Sequence, residues 1–170
     1  MSKVRFHDII KKHGADILDS DGMKIEKNCI QHGTFSVYDH SLYVTSMCLR
    51  ISKKLKLKVD EKALVRGALL HDYFLYDWHE PTKANRIHGF THPGIALNNA
   101  EKVFHLGKIE KNMIKRHMFP LTPVPPKYRE SVILCVADKI CATKETVGGF
   151  KTKLKKKMAK NKYRRNGNDA

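Results

Sequence analysis

Ten histidines occur in the 170 residues, and some histidines and aspartates fall where a surface side chain would not. His40, in YDHSLYV, lies on a helical face with Val44, Met47 and Ile51. His71 and Asp72 sit together in ALLHDYF; at three- and four-residue steps His71 follows Leu64, Gly67 and Ala68, while Asp72 shares a stripe with Val65, Ala68 and Leu69. Asp138, in CVADKICA, has Leu134, Cys135, Cys141 and Ala142 as helical neighbours. A buried aspartate costs several kcal/mol unless it is paired or bound to a cation. In mid-helix it also has poor propensity and cannot cap. Singly, each position has an ordinary explanation. His40 could be a hydrogen-bonded core histidine, His71–Asp72 is only a dipeptide, and Asp138 could pair with Arg66 or Arg116. Jointly, two imidazoles and two carboxylates from three helices form a donor set for a hard or borderline divalent cation.

In this order, and in these helical contexts, the residues resemble the H…HD…D signature of the HD superfamily of metal-dependent phosphohydrolases. The motifs span residues 32 to 142, most of the chain. The resemblance implies an all-α fold, a single HD-domain bundle of about six to eight helices over residues 1–150. It also implies a first metal held by His40, His71, Asp72 and Asp138. His92 in THPG and His117 in KRHMFP resemble the ligands of a second metal in binuclear members, with Asp72 as the bridge. The GYP motif of the cyclic-di-GMP hydrolases is absent, since MFPLTPVPP follows His117.

The expected cofactor is one or two divalent ions (Fe, Mn, Mg, Co, Ni or Zn), because histidine and carboxylate accept several of them. Such an ion lowers the pKa of a bound water from ~15.7 towards 7, and a pair can clamp both oxygens of an in-line displacement at phosphorus. Asp72 would orient the nucleophile. His88, Lys139 and Arg116, near sequence neighbours of ligands, are candidates to contact the phosphate. His88 lies four residues before His92 and is also an alternative ligand. His32 either lines the pocket or is a satisfied polar residue. His7, His13, His79 and His105 are expected at the surface or beside the ligands, and Tyr73, Tyr76 and Trp78 in the core or pocket wall. The expected activity is hydrolysis of a phosphate ester or anhydride in a nucleotide or other small metabolite. The alternative is a di-iron oxygenase cleaving a C–P or C–C bond, because the six-ligand set resembles that of such HD proteins.

The elements that must position these groups are helical, for no sustained alternation of apolar and polar residues occurs. Helices are expected over 3–18, 23–31, 36–56, 61–77, 91–107, 108–117 and 127–146. Ser36 and Asp60 serve as N-caps, Thr91 or His92 caps the fifth helix with Pro93 in its first turn, and Gly148–Gly149 ends the last. PLTPVPP (120–126) is a loop.

Lys and Arg outnumber Asp and Glu by 16. Residues 151–165 hold nine of the basic residues and no acid, and 1–150 still carry a net +8. That field favours polyanions, phosphorylated small molecules among them. The 151–170 tail, expected to be partly helical or disordered, could bind nucleic acid or simply be a solvated surface; nucleic-acid binding alone leaves His40, His71, Asp72 and Asp138 unexplained. The four cysteines form no CxxC pair and read as core thiols. No apolar run reaches the ~18 residues of a membrane span, and MSKVRFHDIIKKHG lacks the apolar core of a secretory signal, so a cytoplasmic location is expected.

Overall fold

Seven helices and one short hairpin make up the described part of the computed structural model: α1 (Lys3–Leu18), α2 (Asp21–Glu26), β1 (Ile30–His32), β2 (Phe35–Ser36), α3 (Val37–Lys54), α4 (Glu61–Leu69), α5 (His88–Val103), α6 (Lys108–Arg116) and α7 (Arg129–Asn166). The backbone is described for residues 3–32, 35–77 and 87–166, and side chains for 6–31, 35–77 and 87–148. Trp78 and His79 lie outside these residues, as does the side chain of His32.

The centre of the bundle is α4. Every residue from Ala63 to Leu69 is buried, and the helix packs on α1, α3, α6 and α7. Asp60 begins it as expected, its carboxylate accepting the Ala63 amide. The close neighbours meet this helix through small residues. Gly67 lies against Met113 of α6, and Gly14, where α1 kinks, lies against Leu69. Ser36 likewise caps α3 by accepting the Asp39 amide. The buried face of α3 then repeats at helical spacing through His40, Val44, Cys48 and Leu49.

Several boundaries differ from the sequence-based expectation. Ser20 accepts the Met23 amide, so α2 begins at Asp21 rather than 23 and stops at Glu26. The chain then forms the β1–β2 antiparallel hairpin instead of more helix; strands of three and two residues are too short to show an alternating pattern. Helix α4 ends at Leu69, well before 77, so His71 and Asp72 lie in the turn that follows it rather than on an inward helical stripe. Tyr73, Phe74, Leu75 and Tyr76, mostly better suited to extended structure, lead away with Leu75 at φ 63°. Helix α5 starts at His88, not 91, with Ile87 as its cap residue and Pro93 inside the helix. Helix α7 runs through Gly148–Gly149 and on to Asn166. A glycine costs a helix interior ~1 kcal/mol, too little to stop one whose neighbours are good helix formers.

All four cysteines are buried free thiols, as expected. Tyr73 is a core residue, and Tyr76 packs against Phe74. Among the described residues, no helix is long and apolar enough to cross a membrane.

Gly22 gives the fold a sharp test. A Cβ built there would overlap the Tyr73 ring hydroxyl and its ring carbons. Tyr73, 1% exposed, has no room to retreat. Gly22→Ala is expected to cost about 2 kcal/mol, read as a fall of ~5 °C in the thermal midpoint.

Candidate metal centre

Six side chains converge from five places in the chain. His40 comes from the first turns of α3, His71 and Asp72 from the turn after α4, His92 from α5, His117 from the C-cap of α6, and Asp138 from the third turn of α7. Asp138 is 9% exposed and the others less, down to 0% for His40 and His71, so water does not solvate them.

Two groups of three have ligand atoms all within 4.8 Å of one another: His40, His71 and Asp72, and Asp72, His92 and His117. Asp72 belongs to both. Its Oδ2 lies 3.4 Å from His71 Nε2 and 3.8 Å from His40 Nε2, while Oδ1 lies 3.2 Å from His92 Nε2 and 3.5 Å from His117 Nε2. Asp138 borders the first group, with Oδ1 3.1 Å from His40 Nε2 and 3.7 Å from His71 Nε2.

The outer nitrogens of the rings are spoken for. His71 Nδ1 is 2.8 Å from the Ala68 carbonyl, His92 Nδ1 2.8 Å from the His88 carbonyl, and His117 Nδ1 2.8 Å from the Ile114 carbonyl. A carbonyl only accepts, so each Nδ1 carries the proton. In a neutral ring each Nε2 then presents a lone pair to the interior. His40 uses a carboxylate instead, its Nδ1 lying 2.8 Å from Glu145 Oε2. Metal-binding histidines are oriented in this way.

This arrangement fits a cation better than it fits itself. His92 and His117 bring their Nε2 atoms to 2.8 Å of each other, although both rings donate from the opposite nitrogen. His71 Nε2 and Asp72 Oδ1 are buried with no hydrogen-bond partner. An unsatisfied buried polar group costs ~1–3 kcal/mol, and a divalent ion would satisfy several at once.

The charge balance favours ionised carboxylates. Burial opposes ionisation of Asp72, but the neighbouring His71, His117 and His92 outweigh it and hold the carboxyl well below its usual range. Burial likewise opposes, and His40 and His71 overcome, the ionisation of Asp138. Burial would lower His40, yet hydrogen bonds to Asp138 and Glu145 raise it to about 10. For His117 burial prevails over Asp72, so its pKa is lowered and its ring is neutral.

The remaining candidates lie around this cluster. His88 is buried, bonded through Nδ1 to the Tyr76 hydroxyl at 2.9 Å, and stacked on His92 with centroids 4.5 Å apart. Lys139 Nζ donates to the His117 carbonyl at 3.1 Å and to the Cys135 carbonyl at 3.4 Å. Arg66 pairs with Asp16 rather than Asp138. Half-buried Arg116 has its carbonyl bonded by the Cys135 thiol. His13 meets Glu61, and His7 and His105 are exposed.

Two groups at the cluster had gone unnoticed in the sequence. Gln31 Nε2 donates to Asp72 Oδ2 at 2.5 Å, and Glu145 orients His40. Glu145 lies seven residues after Asp138, with Cys141 between them, and so on the same helical face; that spacing was readable. Gln31 stands in a two-stranded turn and carried no periodic signal.

A helical bundle that gathers histidines and aspartates around one buried point is an arrangement suited to holding metal ions. The HD domain matches residues 37–143, and the chain belongs to that family, which places it in the superfamily of metal-dependent phosphohydrolases. Comparison with curated proteins and with solved structures finds no match.

Proposed function

We propose that this protein hydrolyses a phosphate ester or anhydride in a nucleotide or other small phosphorylated metabolite, using a binuclear metal centre. His40, His71, Asp72 and Asp138 would hold one ion, and Asp72, His92 and His117 the other. The observation that carries this is the position of Asp72, whose two oxygens face separate histidine groups. Divalent ions held there would acidify a bound water and neutralise phosphate oxygens.

The chain's own side chains supply the rest. Asp72, held in place by Gln31, orients the nucleophile. His88 is steered by the Tyr76 hydroxyl and stacked beside His92, so it can meet a substrate oxygen at the edge of the site. Lys139 has three ammonium donors and uses two on main-chain carbonyls, which leaves one for a phosphate oxygen. The net +8 over residues 1–150 draws such anions in.

Elemental analysis of protein purified without added metal, beside His71→Ala and His117→Ala, tests the assignment. His71→Ala and His117→Ala are each expected to lose about half the metal, one ion apiece. Unchanged content in both variants would defeat it. Phosphate release stimulated by manganese, magnesium or cobalt supports hydrolysis. Retained iron with oxygen consumption would instead select cleavage of a C–P or C–C bond.

A further inference from the structure

Glu26 ends α2 and is fully buried at 0% exposure. Neither of its carboxyl oxygens has a hydrogen-bond partner. Among the described residues no arginine or lysine neutralises it; the charges that act on it are those of Asp72 and His40. A core position with this surrounding would be better served by leucine or methionine, because an unsatisfied buried carboxyl costs at least ~1–3 kcal/mol. It also sits outside the segment that matches the HD domain, as does Gln31, five residues on, which bonds Asp72 directly. The stretch from α2 to β1, which the family match does not include, therefore brings Gln31 against the cluster and buries Glu26 within the field of Asp72 and His40.

We propose that Glu26 is a further acidic group of the metal centre, facing the ion on the His40–Asp72 side and meeting it directly or through a metal-held water. This rests on the binuclear reading above. The two orphaned oxygens then acquire a partner, and a carboxylate beside Asp72 becomes favourable once a divalent charge lies between them.

The test uses cobalt(II), whose visible spectrum reports its surroundings, titrated into metal-free wild-type protein, Glu26→Gln and Glu26→Asp. Glu26→Gln keeps the shape but removes the charge; it is expected to bind cobalt ~10-fold more weakly, with an altered visible spectrum. Glu26→Asp should fall between it and the wild type. The metal-free Glu26→Gln protein should melt no lower than metal-free wild type, because it loses only an unpartnered carboxyl, which burial and Asp72 already hold against ionisation. Unchanged cobalt affinity and spectrum in Glu26→Gln would overturn the proposal, and so would failure of both variants to fold, which would make Glu26 structural. If wild type itself binds no cobalt, the binuclear reading fails, and this proposal with it; normal wild-type binding shared by the variants sinks Glu26 alone.

Discussion

Asp72→Ala is expected to abolish stoichiometric binding at both metal positions and to lower phosphate release by at least ~10³-fold, or about 4 kcal/mol of transition-state stabilisation. No other side chain in the cluster has this double reach. Its Oδ2 faces His40 and His71, its Oδ1 faces His92 and His117, and truncation removes the only group common to both sets of three. His117→Ala takes from one set alone, and the contrast between the two variants in metal per protein is the measurement. Equal metal content in Asp72→Ala and wild type would mean that the two sets do not share a carboxylate. The variant should still fold, for the apolar core that includes Leu64, Leu69, Leu70 and Met113 keeps its packing.

Opposite pH slopes are expected for metal-free and metal-loaded protein. In the metal-free fold His40 is raised to about 10 against an ordinary 6.5, by Asp138 and Glu145 acting against burial. A raised folded pKa stabilises fully below the unfolded value and is lost as pH climbs towards the folded one. Asp138 and Asp72 lie below the usual carboxylate range, so their contribution is present above about 4 and is lost as pH falls. The His40–Asp138 contact is one interaction seen from both partners and counts once. Metal-free protein should therefore be most stable between about pH 4 and 6.5. It should lose on the order of 3 kcal/mol by pH 9, a drop of ~10 °C in the thermal midpoint. Metal must displace the His40 proton, so its affinity should rise with pH over the same interval. Thermal melts with and without chelator, from pH 5 to 9, check both slopes. Glu145→Gln weakens the hold on that proton and should flatten the metal-free slope; a slope unchanged by this substitution would remove Glu145 as the cause.

The sequence spoke clearly wherever a side chain had to be both polar and placed on an apolar helical face. His40 and Asp138 are the plainest cases: each interrupts a run of core residues on a long helix, and each proved buried in the cluster. The caps at Ser36 and Asp60 were legible because capping depends on local chemistry alone. His71 and Asp72 were found for a reason that was partly wrong, since they lie beyond the end of α4 rather than along it. Periodicity cannot see where a helix stops when the next residues, Tyr73 and Phe74, are as apolar as those before. Glu26 and Gln31 were missed because a six-residue helix and a short hairpin leave no pattern, and their meaning depends on Asp72, 46 and 41 positions away, which Gln31 bonds and whose charge acts on Glu26. Gly148 and Gly149 misled because a glycine pair ends many helices, yet here the helix continues through them, and Gly148 is exposed with nothing crowding it.

The anchoring of His71, His92 and His117 through main-chain carbonyls has an evolutionary corollary. The atoms that fix those tautomers belong to Ala68, His88 and Ile114, yet any residue whatever supplies a carbonyl. The identities at 68, 88 and 114 can drift without releasing the rings, so long as the helix ends stay where they are. Homologues could thus keep the same orientation while sharing none of these letters; at position 88 the carbonyl fixes the tautomer of His92, while the imidazole stacks on its ring.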